Sequence, residues 1–192
     1  MYDAVADLYC YPGTTVLKNI PGLQTQSALD EFETLSTMQR ADEPLPKGRL
    51  GVRHYQAVHR HLFQDVYAWV GAFRTVRMQK GESTFCYPEH IAREMKALIS
   101  TLAAKRGLRG LSRDQFAGEA AEFLATLNAI HPFREGNGRT QIAFLALVAH
   151  EAGYLLHLER LDPESFLAAT VTSFHGDTAA LAKQIQRLMA KE

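Results

Sequence analysis

His131-Pro132-Phe133-Arg134-Glu135-Gly136-Asn137-Gly138-Arg139 joins two segments with helical patterning. Upstream, Ser112 to Ile130 opens on Ser112-Arg113-Asp114-Gln115, a capping-box pattern, and continues with Phe116, Ala120, Phe123, Leu124 and Leu127 in helical register. Downstream, Arg139 to roughly Ala152 is apolar nearly all round, the mark of a central buried helix, and Gly153 stops it. A glycine-rich loop between a capped helix and a buried one sets the centre of an all-α fold.

Working outward, Pro88 to Lys105 carries Ile91, Met95, Leu98, Ile99 and Leu102 on one face. Before it, Phe73 to Met78 alternates and is β-prone, Lys80-Gly81-Glu82 is turn-like, and Thr84 to Tyr87 returns as a second strand. Pro88 closes this hairpin, the one β element expected. A helix is predicted from Arg53 to Val70, with Val58, Leu62, Phe63, Val66 and Trp69 on one face and Gly71 as its stop. Ser27 to Arg40 carries a weaker stripe of Leu29, Phe32 and Leu35, and Ala41 to Gly51 reads as a loop. Residues 1–23 have no clear period and read as an irregular arm laid over the core. At the other end, Asp162-Pro163 is a cap followed by the favoured first helical residue, and two short helices run to about Ala190.

The 192 residues suit one domain, residues 1–192, with 46% hydrophobic and 22% charged residues, ordinary for a globular protein. Lys plus Arg and Asp plus Glu each total 21, so nothing favours bulk attraction to nucleic acid or an anionic membrane, and any anion site must be local. Cys10 and Cys86 are too few for a disulfide framework and fit no metal spacing. The amino terminus lacks a signal-peptide pattern, and the apolar run Ile142 to Ala149 is too short to span a bilayer, so a cytoplasmic protein is expected.

The loop has a chemical logic of its own. Gly136 and Gly138 allow positive φ and close approach to a ligand, and they precede a helix whose first N–H groups are unpaired at the positive end of its dipole. Asn137 adds an amide donor and Arg139 a planar cation suited to phosphate oxygens. Glu135 would repel phosphate unless a divalent cation lay between them, and Mg²⁺ commonly binds one carboxylate plus phosphates. His131 is able to accept a proton, and Phe133 should anchor the loop in the core. The loop is not a Walker loop, because the Lys-Ser/Thr pair and the preceding strand are missing.

These nine residues resemble the signature of the Fic domain family, His-x-Phe-x-[Asp/Glu]-Gly-Asn-Gly-Arg-x-x-Arg, at every specified position through Arg139. The likeness extends to Asn128, to Trp69-Val70-Gly71, to the hairpin and to Tyr11-Pro12-Gly13-Thr14 in the arm, and so covers most of the chain. It implies a Fic-like helical bundle with one small β-hairpin flap over residues 73–88 and an active-site loop over residues 128–142. It implies an enzyme that transfers AMP from ATP, with Mg²⁺, to a Ser, Thr or Tyr hydroxyl of a target protein. His131 would be the base, Glu135 the metal ligand, Gly136, Asn137 and Gly138 the anion hole, and Arg139 the stabiliser of departing pyrophosphate. Asn128 would line the nucleotide pocket, and Ser83, Thr84 and Phe85 would belong to the flap that holds the target by strand addition. Relatives of this size act as toxins restrained by a small antitoxin chain, with topoisomerases among their targets. Other branches transfer phosphate, UMP or phosphocholine, and the phosphate-transferring branch carries a Lys-containing loop absent here.

The chain departs from the pattern at its last position, where Ile142 replaces an Arg that in the family contacts the ATP γ-phosphate and pairs with an inhibitory glutamate. Two readings follow. Either Ile142 packs in the core and Arg134 serves the γ-phosphate, or the fold is kept as a nucleotide-binding module with impaired turnover. Ser27 with Glu31 comes nearest to the inhibitory pattern [Ser/Thr]-x-x-x-Glu-[Gly/Asn] but is followed by Phe32 and fails it. His54, His59 and His61 cluster on one helix without a nearby Cys or carboxylate, and read as structural or surface residues.

Overall fold

The computed structural model describes residues 7–81 and 83–189. Among these, seven α-helices surround one core: α1 (Gln26–Ala41), α2 (Val52–Phe63), α3 (Pro88–Ala104), α4 (Arg113–Ile130), α5 (Asn137–Ala152), α6 (Pro163–Phe174) and α7 (Ala179–Leu188). The all-α reading with a single hairpin holds. No helix among the described residues is long and apolar enough to cross a membrane.

The capping box at the start of α4 forms as its sequence requires: Gln115 N–H donates to Ser112 Oγ, and Ser112 N–H to the Gln115 side chain. α4 then packs against α3, α5, α6 and α7, burying Phe116, Phe123, Leu124 and Leu127. α5 lies at the centre and buries Phe144, Leu145, Val148 and Ala149. Gly153 ends it at φ +92, a left-handed cap that its missing Cβ permits.

Two expectations need correction. The second helix stops at Phe63 rather than Val70. Val66 and Tyr67 N–H both turn back to Phe63 O (3.0 and 3.1 Å), Asp65 is held by Arg40, and Val66 O accepts Ile20 N–H from the arm (2.8 Å). The chain tightens at Val66 to an i−3 bond, and the Val66 carbonyl that a continuing helix would give to Val70 N–H is taken by Ile20, although Trp69, Val70 and Gly71 still fall beside the core.

The hairpin is also shorter than its sequence pattern: β1 (Gln79–Lys80) pairs antiparallel with β2 (Ser83–Thr84), Gln79 opposite Thr84. Phe73 to Met78 is no strand: Met78 O still accepts Phe85 N–H across the hairpin (3.1 Å), but Arg74 and Val76 bond the signature loop and the Arg74 side chain instead. Arg74 N–H donates to Pro132 O (2.9 Å), and Val76 O accepts from the Arg74 guanidinium (2.6 Å).

Where described, the arm packs on the core. Tyr11 N–H donates to Val16 O (2.9 Å), Val16 and Leu17 are buried, and the Tyr9 ring meets Trp69 edge-on at 5.4 Å. Residues 1–6 of that arm, Glu82 of the turn and Ala190 lie outside the described residues.

Candidate active site

His131 closes α4 as its left-handed cap, φ +46, its N–H bonded to Leu127 O at 3.0 Å. A non-glycine residue in this region is strained and needs fixing by its surroundings. Arg74 supplies much of that. Its guanidinium, almost fully buried, donates to the carbonyls of His131 (2.8 Å), Ile130 (3.3 Å), Cys86 (2.6 Å) and Val76 (2.6 Å). One cation thus caps the negative end of α4 and ties the root of the flap to the loop. Burial lowers Arg74 to about 10, which still leaves it charged at neutral pH.

The His131 ring is 6% exposed and stacks on Phe85, centroids 4.0 Å apart. Burial pushes its pKa down to about 3, with the Arg74 charge adding to the effect, while a hydrogen bond to the Asn128 backbone works the other way. The imidazole is therefore neutral and able to take a proton. Phe85 is thus the plate against which the His131 ring is held.

Beneath the loop, Phe133 is buried between His59 (3.8 Å) and Tyr55 (5.4 Å), so it does anchor the loop. His59 is no surface residue. It is fully buried, one ring nitrogen bonds Glu135 O at 3.0 Å, and Gly71 N–H donates to the other at 2.9 Å. Donor to a carbonyl and acceptor from an amide, it must be neutral, and burial lowers it to about 4.

The Asn137 side chain is turned into the loop. Its amide bonds Phe133 at both ends, Phe133 N–H to Oδ1 at 2.9 Å and Nδ2 to Phe133 O at 2.8 Å. It braces the loop rather than presenting a donor to a ligand. Gly136 has φ +79, and a Cβ there would lie 2.4 Å from the Phe63 ring, so only glycine fits. Gly138, by contrast, has no positive φ and sits in the first turn of α5. A Cβ there would meet nothing within 4 Å; the glycine keeps an open approach to the helix end. The N–H groups of Asn137, Gly138 and Arg139 precede the first helical bond, from Thr140 to Gly136 (3.1 Å), at the end of α5 whose dipole suits an anion.

Arg134 is 5% exposed and already has an anionic partner. Asp7 holds it in a buried ion pair, Arg134 Nε to Asp7 Oδ2 at 2.7 Å, so the arm locks the loop from outside. Arg139 is also engaged, with Glu33 and Thr37 of α1, yet its side chain stays 40% exposed. Glu135 lies 4.0 Å from Arg139, and its Oε1 accepts Gly136 N–H at 2.8 Å. Burial raises its carboxyl, with Glu33 adding to the rise.

Two cavities meet at the flap. One, of about 450 Å³, is lined by Asn128, His131, Gly138 and Gln141 on one side and by Ile142, Phe166 and Val171 on the other. Ile142 is therefore a cavity wall rather than a core residue, and the wall it makes is apolar. The second, of about 1260 Å³, runs between the arm and the loop past Arg134 and Glu135. Lys80 of β1 lines both. Thr84 is exposed and lines neither, and the Ser83 side chain lies outside the described residues.

The structure thus brings His131, Asn128, Gly138 and Phe85 to one cavity and Glu135 and Arg134 to the other. Asp7, Glu33 and Arg74 were not singled out from the sequence, His59 was read only as structural or surface, and Lys80 only as part of the hairpin. None lies in the signature loop, and none is marked by residue type or spacing in the sequence.

A sequence model of the Fic/DOC family matches residues 49–149. The chain is similar to the probable protein adenylyltransferase y4lH of Sinorhizobium fredii, 52% identical over 189 residues that make up 98% of each chain. It is 31% identical over 186 residues to the probable protein adenylyltransferase Fic of Salmonella typhimurium, covering 96% of this chain and 93% of that one. Among solved structures, BepC of Bartonella tribocorum with bound AMPPNP superposes with a TM-score of 0.88 at 27% identity, over 96% of this chain and 97% of that one.

Proposed function

The chain belongs to the Fic/DOC family and is a nucleotidyltransferase, and on that footing we propose that it moves AMP from ATP onto a Ser, Thr or Tyr hydroxyl of a target protein. One observation carries the reading: a buried, neutral His131 shares a cavity with Gly138 at the open N-terminus of α5. That places a proton acceptor beside a site built for anions.

In the reaction proposed, the target oxygen forms a bond to the α-phosphorus and its proton passes to the His131 imidazole. The bond from that phosphorus to the β-bridging oxygen breaks, and pyrophosphate leaves with the electron pair. Arg74 and Phe85 hold the imidazole in place. The phosphates' negative charge, on arrival, offsets the nearby cations and makes His131 a stronger base than in the free protein. The N–H groups ahead of Thr140, with Arg139, bind the anionic oxygens.

The residues present also fit Mg²⁺. Glu135 offers a carboxylate 31% exposed, and among the described residues no cluster of three His, Cys, Asp or Glu could hold a metal alone. A cation at Glu135 would need phosphate oxygens to complete its shell, as Mg²⁺ commonly does, and would supply charge neutralisation. On family likeness alone, the proposal extends to a cytoplasmic toxin with a small antitoxin partner and a topoisomerase-class target.

The test compares ATP labelled at the α- or the γ-phosphate, with Mg²⁺ and a cell lysate. Label is expected on protein from the α position only, and none in His131→Ala. Transfer of γ-label would mean a kinase, and label surviving in His131→Ala would remove the base assignment. The apolar wall at Ile142 favours a second reading, a donor other than ATP and transfer of UMP or phosphocholine in place of AMP. Parallel incubations with UTP and CDP-choline, read by the mass added to the target, decide between the two.

A further inference from the structure

Arg139 does not hang free at the start of α5. Its Nη2 donates to Glu33 Oε1 and its Nη1 to Thr37 Oγ1 (3.1 Å), both on α1, and its guanidinium carbon lies 4.6 Å above the Phe63 ring. Glu33 is itself fixed, because Tyr67 donates its hydroxyl to Oε2. The Glu33 side chain is 12% exposed and that of Arg139 40%, so the acid is sealed in while the cation still faces solvent. Of the five donor hydrogens in the guanidinium fork, two are held by α1, which leaves the remainder for an anion.

We propose that Glu33 is a positioning residue for Arg139: with Tyr67 behind it, it sets the guanidinium in the orientation that meets the donor's phosphates. This rests on the nucleotide-binding reading above. It places a working part of the site on α1, outside residues 49–149 that carry the family pattern. A flexible Arg would lose side-chain freedom on each binding event, and a fork already clamped at two nitrogens has lost it beforehand. Competition between Glu33 and phosphate is the opposite case. The burial pattern argues against it, since a competing acid would cover the exposed part of the cation, and Glu33 lies on its sealed side.

The experiment measures Mg²⁺·ATP affinity by calorimetry, so it does not depend on transfer to any target. Glu33→Ala is expected to weaken binding about 10-fold, the worth of one charge-assisted hydrogen bond. Glu33→Gln keeps the shape of the clamp and folds even if the alanine variant does not. It should lose only about 3-fold, a partial rescue. In an Arg139→Ala background, Glu33→Ala should cause no further loss, because a positioning residue has nothing left to position. Unchanged or tighter binding in both Glu33 variants would overturn the proposal, as would an equal loss in the Arg139→Ala background. Wild-type protein that binds Mg²⁺·ATP with the expected Glu33 dependence but transfers no label would sink the transferase reading and leave this one standing.

Discussion

Lowering the pH from 7.5 to 5 should destabilise this protein by about 4 kcal/mol through two residues alone. His59 and His131 sit neutral in the fold with pKa values near 4 and 3, against about 6.5 in an unfolded chain. A group whose folded pKa is depressed contributes stability present above the unfolded value and lost as pH falls toward the folded one. Here the window opens near 6.5. At pH 5 the unfolded chain has taken up nearly two protons that the folded protein refuses, which costs about 2 kcal/mol per histidine. Glu135, with its raised carboxyl, works in the opposite direction, but it is one group against two. Since domains of this kind are held by roughly 5–15 kcal/mol in all, the loss is large. Urea unfolding at pH 7.5, 6.5, 5.75 and 5 measures it, and His59→Gln should halve the slope because one of the two titrations is gone. A free energy of unfolding that stays level within 1 kcal/mol or so from pH 7.5 to 5 would refute the burial argument for both rings.

Gly136→Ala should cost about 2–4 kcal/mol in chemical denaturation, part from φ +79 and part from a Cβ placed 2.4 Å from the Phe63 ring. Phe63→Leu in the same chain should recover the steric part only, so a double-mutant cycle should show coupling of about 1 kcal/mol or more. Ile142→Arg puts a cation on the apolar wall beside Gly138, and should tighten ATP about 10-fold in calorimetry while leaving AMP unchanged. Equal gains for AMP and ATP would show that this wall faces the nucleoside rather than the outer phosphates.

Helix patterning and the signature loop were legible in the chain because both are local. The Ser112 capping box, the buried face of α5 and the stop at Gly153 follow from residues within one turn of each other. The end of α2 was not legible, since Val58, Leu62, Val66 and Trp69 keep helical spacing past Phe63, while the Val66 carbonyl that the next turn would need is taken by Ile20, far away in the chain. The hairpin failed for a related reason. Phe73 to Met78 alternates like a strand, but before Met78 its hydrogen bonds run to Pro132, to Tyr9 and to the Arg74 side chain. In the site, His131, Glu135 and Gly138 could be read from type and spacing. Asn137 and Arg134 could not, because an amide and a guanidinium serve a ligand or a neighbour equally well, and here Phe133 and Asp7 had already engaged them.

The loop's own polar groups explain why distant residues had to be recruited. A chain that leaves one helix at a left-handed residue and enters the next at another cannot satisfy its carbonyls within either helix. The His131 carbonyl is met by Arg74, Pro132 O by the Arg74 amide, Phe133 O by Asn137 and Glu135 O by His59. Each donor that does so is buried, so the loop cannot flex without stranding it, at a cost of about 1–3 kcal/mol per group. The N–H groups ahead of Thr140 show the reverse arrangement. They are the part of the loop that these partners leave open, and Gly138 keeps the space over them clear. Rigidity on the carbonyl side and openness on the amide side are thus one design: an anion can be bound at full strength only by amides whose carbonyl partners are not free to turn away.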